Sequence, residues 1–172
     1  MALLKKPKTL TIAYAALIAA LYAAATYISA AAGLAYGPVQ FRLSEALTVL
    51  PVLTPAAVPG LIIGCIAANI RSPYGIVDIV LGTLATGFAA VSTRALRHIR
   101  WRKIPWLAPL PPVVFNALIV GAEITLLAPG KAGIAAFAAN AAWIGLGEFV
   151  MCYALGLPLH AALDRTKLFT AR

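Results

Sequence analysis

Charged side chains are scarce in this chain and acidic ones scarcer still: 11% of its 172 residues are Asp, Glu, Lys or Arg, and only five are acidic. With 62% hydrophobic residues and a mean hydropathy of +0.92, that poverty excludes a soluble globular domain and describes an integral membrane protein. Cysteine is nearly absent as well. Cys65 and Cys152 sit inside apolar runs with no Cys or His at ligand spacing, so neither a disulfide nor a metal site is expected. The two histidines, His98 and His160, fall close to one edge of the predicted membrane region and away from most of the acids, which leaves an intramembrane enzyme without a nucleophile and base or a metal set. A phosphate loop is missing too, because the only Gly-Lys pair, Gly130-Lys131, lacks the upstream glycine and the following Ser or Thr. The chain is expected to be no enzyme, to carry no cofactor or metal, and to leave any use of ATP to partners.

What the chain has in plenty is apolar length. Its prolines, glycines and charges divide it into six hydrophobic segments, 9–33, 43–54, 56–70, 76–97, 106–128 and 137–163, forming one all-α transmembrane domain over residues 1–172. Four of them reach the roughly 20 residues a straight membrane-spanning helix needs. Segments 43–54 and 56–70 are short and punctuated by Pro51, Pro55, Pro59 and Gly60, so they are expected to be tilted or irregular, with their freed backbone groups satisfied by neighbours. Lys5, Lys6 and Lys8 ahead of the first run mimic a signal peptide, yet the run continues to Leu34, well past an h-region of roughly 7–15 residues, and it reads as a membrane helix.

Six spans put both termini on one side. That side gathers Lys5, Lys6, Lys8, Arg94, Arg97, Arg100, Arg102, Lys103, Arg165, Lys167 and Arg172, against Arg42, Arg71 and Lys131 opposite. The excess of positive charge predicts that both termini are cytoplasmic. Topology and contact with the headgroups of the lipid bilayer account for the net charge of +9, and no nucleic-acid partner is called for.

Ionised groups at membrane depth are costly unless paired or lining a cavity, which makes them site candidates. Asp164 stands beside Arg165 at the basic edge and reads as solvated. The other four acids, Glu45, Asp78, Glu123 and Glu148, fall in the opposite half or near the midplane. So do Gln40, Arg42, Asn69, Asn116 and Asn140, accompanied by Phe41, Tyr74 and Trp143. Polar groups converging from several segments beside aromatic rings are the usual form of a small-molecule site, here one that captures from outside. Plainer readings exist: Arg42 and Glu45 as a helix-start i, i+3 pair with Ser44 as cap, Glu123 and Glu148 as protonated packing groups, Tyr74 and Trp143 as interfacial aromatics. The first segment carries two further ridges, Ala15, Ala19 and Ala23, and beside them Ala16, Ala20 and Ala24. Small residues at this spacing let helices approach closely in lipid, inside the bundle or against a partner.

The run Val39-Gln40-Phe41-Arg42-Leu43-Ser44-Glu45-Ala46-Leu47, then Ser72-Pro73-Tyr74-Gly75-Ile76-Val77-Asp78 with Gly82-Thr83-Leu84-Ala85, and Gly147-Glu148 before Gly156-Leu157-Pro158 resemble the QueT family over essentially the whole chain. Those proteins are substrate-binding S components of energy-coupling factor (ECF) transporters. The resemblance implies a six-helix bundle of the ECF S-component type, with an outward-opening site for a queuosine precursor such as 7-aminomethyl-7-deazaguanine. It also implies that one of the two alanine ridges docks on a transmembrane coupling subunit driven by two ATPase subunits. An S component for another vitamin or nucleobase, or a stand-alone small-molecule carrier, is the alternative. A carrier of that kind should show paired broken segments in corresponding halves, and no clear internal repeat is visible.

Overall fold

The computed structural model describes residues 8–36, 39–127, 133–166 and 169. Of the residues used above for topology, Lys5, Lys6, Lys131, Lys167 and Arg172 lie outside the described residues. The chain runs through α1 (Lys8–Ala31), a 3-10 helix (Leu43–Val52), α2 (Ala57–Asn69), α3 (Ile76–Ala95), α4 (Leu110–Leu127), α5 (Ile134–Phe149), a π-helical stretch (Val150–Gly156) and α6 (Leu157–Thr166). The last three form one continuous rod, Ile134–Thr166. This rod, α1, Ile76–His98 and α4 are long and apolar enough to cross a membrane, while Leu43–Val52 and Ala57–Asn69 are shorter apolar helices. That is the division the hydropathy predicts. Among the described residues there is no β-strand beyond a single Trp101–Ile104 bridge.

The short pair departs from ideal α-helix, as its prolines foretell. Ten residues at about 2 Å rise carry the 3-10 helix roughly 20 Å. Thirteen at 1.5 Å bring α2 back the same distance, both short of the ~30 Å hydrocarbon core. Pro51 lies inside the 3-10 helix. Arg94 Nη1 donates to the carbonyls of Pro51 and Val52 at 2.9 and 3.3 Å, closing that helix end. At its beginning, Leu43 N–H donates to Ser29 Oγ at 2.9 Å, and Thr26 Oγ1 donates to Ser44 Oγ at 2.8 Å, so α1 fixes where the 3-10 helix starts. Ser44 is therefore a partner of α1, and the helix start has no side-chain cap.

The main core cluster joins Ile18 and Tyr22 of α1 to Leu50, Leu61, Cys65 and Ala68. Alanine on one helix and glycine on the other permit the closeness. A Cβ added at Gly64 would stand 2.8 Å from Tyr22 Cβ, 2.9 Å from the Ala19 carbonyl oxygen and 3.0 Å from Ala19 Cα, and one at Gly60 would stand 2.8 Å from the Ala15 carbonyl oxygen. Because the obstructing atoms are mostly backbone, Gly64→Ala forces α1 outward. We expect it to cost about 1–3 kcal/mol despite alanine's better helix propensity, read as a lower thermal midpoint in detergent. An unchanged midpoint would mean that α1 and α2 are not in contact at this position.

These contacts separate the two alanine ridges. Ala19 is buried and Ala15 and Ala23 are half-buried against the bundle, whereas Ala16, Ala20 and Ala24 are exposed. The exposed side of α1 also carries Ile12, Leu17, Leu21 and Ile28.

Candidate functional site

Eight of the predicted residues are almost fully enclosed: Gln40, Arg42, Glu45, Asn69, Asp78, Asn116, Glu123 and Glu148 are each 5% exposed or less. They come from the segment before the 3-10 helix, from that helix, and from α2, α3, α4 and α5. Each arrives by a local cause. Asp78 is in the first turn of α3, just after the Ser72-Pro73-Tyr74-Gly75 turn, where Gly75 takes φ +63°. Asn69 ends α2 and reaches across that turn, its Nδ2 donating to the Asp78 carbonyl at 2.9 Å. Gly82, one turn further on, makes room for this amide: a Cβ there would lie 2.6 Å from Asn69 Nδ2 and 3.1 Å from Asp78 Oδ1. Gly147 does the same beside Glu148, since a Cβ there would collide with the Gln40 carbonyl oxygen.

Two groups of contacts emerge. In the first, Arg42 Nε donates to the Ala35 carbonyl at 2.7 Å and its Nη2 stands 3.9 Å from Asp78 Oδ2. The guanidinium lies over the Tyr36 ring, 5.3 Å from its centroid, a cation–π geometry. The ion pair of Arg42 is thus with Asp78 in α3. The i, i+3 pairing with Glu45 does not form, because the backbone ahead of the 3-10 helix is extended at Arg42 and turns its side chain away. Tyr74 borders this group. Burial, with the carboxylates of Asp78 and Glu123 nearby, raises its phenol above the ordinary range.

In the second group, Tyr22 donates to Glu45 Oε1 at 2.5 Å. Cys152 Sγ approaches the Glu45 carbonyl at 3.5 Å and Glu148 Oε2 at 3.7 Å, and Thr48 Oγ1 donates to the Glu45 carbonyl at 2.6 Å. Asn116 is within electrostatic reach of Glu148, although its Nδ2 has no hydrogen bond of ordinary geometry. The Arg42 charge acts on Glu45, Glu123 and Glu148 alike, so the two groups share one electrostatic centre.

Among the described residues, ten buried side-chain polar atoms lack a hydrogen-bond partner, and eight of them belong here: Arg42 Nη2, Glu45 Oε2, Asn69 Oδ1, both Asp78 oxygens, Asn116 Nδ2 and both Glu123 oxygens. Native interiors satisfy nearly all such atoms, and each exception calls for a reason. Their concentration in one cluster points to an external partner for them.

Two predicted residues stand apart. Asn140 is half-buried, and its Nδ2 donates to Thr125 Oγ1 at 3.0 Å, tying α5 to α4. Trp143 is 51% exposed on α5, outside the enclosed cluster. The sequence reading overlooked Tyr22, Tyr36, Thr48 and Cys152. A signal for the first was available: Tyr22, Thr26 and Ser29, spaced by four and three, place a polar stripe on one face of an otherwise apolar helix. The π-helical register after Glu148 had a weaker cue in Pro158, whose missing N–H cannot continue the α-helical ladder.

At the same end of the bundle a cleft of about 390 Å³ is lined by Tyr27, Ala30, Ala31, Tyr36 and Arg71. Tyr36 separates it from Arg42, and its hydroxyl donates to the Ala68 carbonyl at 2.8 Å.

Comparison with known proteins adds a family. The family model described as QueT transporter matches residues 12–165. A curated relative, the Queuosine precursor transporter QueT of Lactococcus lactis subsp. cremoris (strain MG1363), is 36% identical over 83 residues, 48% of each chain. The alignment thus spans about half the length of that relative. No solved structure matches the chain.

Proposed function

Because the chain belongs to the QueT transporter family, we propose that it is the substrate-binding S component of an ECF-type importer, a six-span membrane protein with cytoplasmic termini that captures a queuosine precursor from outside. The observation that carries this reading is the enclosed cluster of eight unsatisfied polar atoms. A 7-deazaguanine offers adjacent N–H donors for a carboxylate, a carbonyl oxygen for an amide or guanidinium, and a flat face for an aromatic ring. Glu45 Oε2, with Glu148 and Asn116 Nδ2 beside it, suits the guanine edge, where acceptor and donor are both required. The Asp78 and Glu123 oxygens with Asn69 Oδ1 form an acceptor-rich group holding Arg42 as its cation, which suits a protonated aminomethyl arm. The enclosure of all these side chains corresponds to a shut site. Admission then needs the Arg42–Ala35 and Tyr36–Ala68 hydrogen bonds to open toward the Tyr27, Tyr36 and Arg71 cleft.

ATP hydrolysis is assigned to partner ATPases acting through a transmembrane coupling subunit, and the exposed ridge Ala16, Ala20 and Ala24 is the face of α1 free to receive that subunit. The membership in a transporter family speaks against an enzyme.

The test is calorimetric titration of the purified, detergent-solubilised protein with 7-aminomethyl-7-deazaguanine and with a 7-deazaguanine lacking the ammonium. We expect saturable 1:1 binding of the first, and a weakening by Glu123→Gln confined to the ligand that bears the charge. Absence of binding by a protein with a cooperative melt would remove the deazapurine assignment and direct the search to other vitamins and nucleobases.

A further inference from the structure

At the opposite, basic end of the bundle lies a cavity of about 570 Å³ that the transport reading does not use. Its polar lining includes Lys103, His160 and Arg165, and its apolar lining Tyr153, Leu157 and Pro158, with Asp164 the single carboxylate. His160 is 3% exposed, and its Nε2 is one of the two buried polar atoms outside the substrate cluster with no hydrogen-bond partner among the described residues. The charges of Asp164 and, more weakly and in the opposite sense, Arg100 act on this imidazole. A buried imidazole nitrogen without a partner, at a cavity framed by cations, suits an anionic oxygen ligand to which the ring presents its N–H.

Lys103 is held there by a constrained turn. Trp101 and Ile104 exchange both backbone hydrogen bonds at 2.9 Å, and the two residues between them, Arg102 and Lys103, take φ of 48° and 71°. This is the left-handed pair that a two-residue hairpin turn requires, adopted here without glycine. Arg102 lies over the Trp101 ring, 5.0 Å from its centroid, so of the two cations the turn offers Lys103 to the cavity. Trp101 is 63% and Trp106 48% exposed, an arrangement suited to the membrane–water boundary.

We propose that this cavity is a headgroup site for one anionic phospholipid. Its phosphate is bound by Lys103, Arg165 and His160, and an acyl chain leaves along Tyr153, Leu157 and Pro158. The apolar half of the lining argues for a phosphodiester with attached chains over free phosphate, and two cations against one carboxylate match a single negative charge.

Native mass spectrometry of the full chain released from nanodiscs of equal phosphatidylglycerol and phosphatidylcholine tests it. We expect one phosphatidylglycerol retained on the wild type, with retention falling about tenfold or more in Lys103→Glu/Arg165→Glu. His160→Gln puts a neutral amide donor in place of the imidazole and should give a smaller fall. Should the double variant fail to fold, Lys103→Gln alone must still lower retention. Equal retention of both lipids, or variants indistinguishable from wild type, would overturn the proposal. So would displacement of the lipid by millimolar inorganic phosphate, which would assign the cavity to the free anion.

Discussion

Glu45→Gln is expected to weaken binding of 7-aminomethyl-7-deazaguanine about 100-fold while leaving the fold intact. The substitution is nearly isosteric, and a glutamine oxygen still accepts the Tyr22 hydroxyl that now reaches Glu45 Oε1 at 2.5 Å. The other position, at present Oε2 with no hydrogen-bond partner, becomes an NH2 facing the ligand's own N–H donors. Loss of a charge-assisted bond together with a donor-to-donor contact in a buried site is worth about 3 kcal/mol, which corresponds to roughly two decades in Kd. Tyr22→Phe removes only the bond that orients the carboxylate and should cost about tenfold. Calorimetry on the three proteins, each with its melting curve, decides the matter. An unchanged Kd in Glu45→Gln would transfer the reading of the guanine edge to Glu148.

The gross architecture is legible in the sequence because hydrophobic length is a local property. Four apolar stretches of membrane length and two short, proline-punctuated ones can be counted without knowing what they touch, and the bundle has the same division. That these polar residues would gather inside the bundle was legible for a related reason, since ionisable and amide groups in apolar segments are few enough to be conspicuous. Their pairing was not. Arg42 and Glu45 are three positions apart, yet their partners, Asp78 and Tyr22, are separated from them by 36 and 23 residues. Those choices are fixed by how α1 and α3 pack around the 3-10 helix. Asn140 and Trp143 lie on the same helix as Glu148 but project elsewhere, which composition cannot reveal. The π-helical turn beyond Glu148 is likewise a product of packing. There Cys152 and Gly156 settle against the 3-10 helix, with Gly156 facing the Ala46 carbonyl across a gap that would leave an added Cβ at 3.3 Å.

The alanine ridges of α1 show most clearly where sequence stops and structure begins, because two adjacent columns of identical residues have opposite fates. Ala19 faces α2 at a point where even a methyl on Gly64 would meet its backbone, so Ala19→Trp overpacks the main core and should lower stability by about 1–3 kcal/mol or prevent folding. Ala20 is exposed, and a tryptophan there meets only lipid in the isolated chain. Ala20→Trp should therefore keep its melting temperature and its ligand affinity. If the Ala16, Ala20 and Ala24 face receives the coupling subunit, the indole holds the two helices apart by more than the close approach of small residues allows, and ATP-driven uptake into vesicles containing the coupling subunit and both ATPases falls to background. Full uptake by Ala20→Trp would move the docking surface off this face. Uptake by vesicles holding the chain alone would remove the need for partners and make it a carrier in its own right.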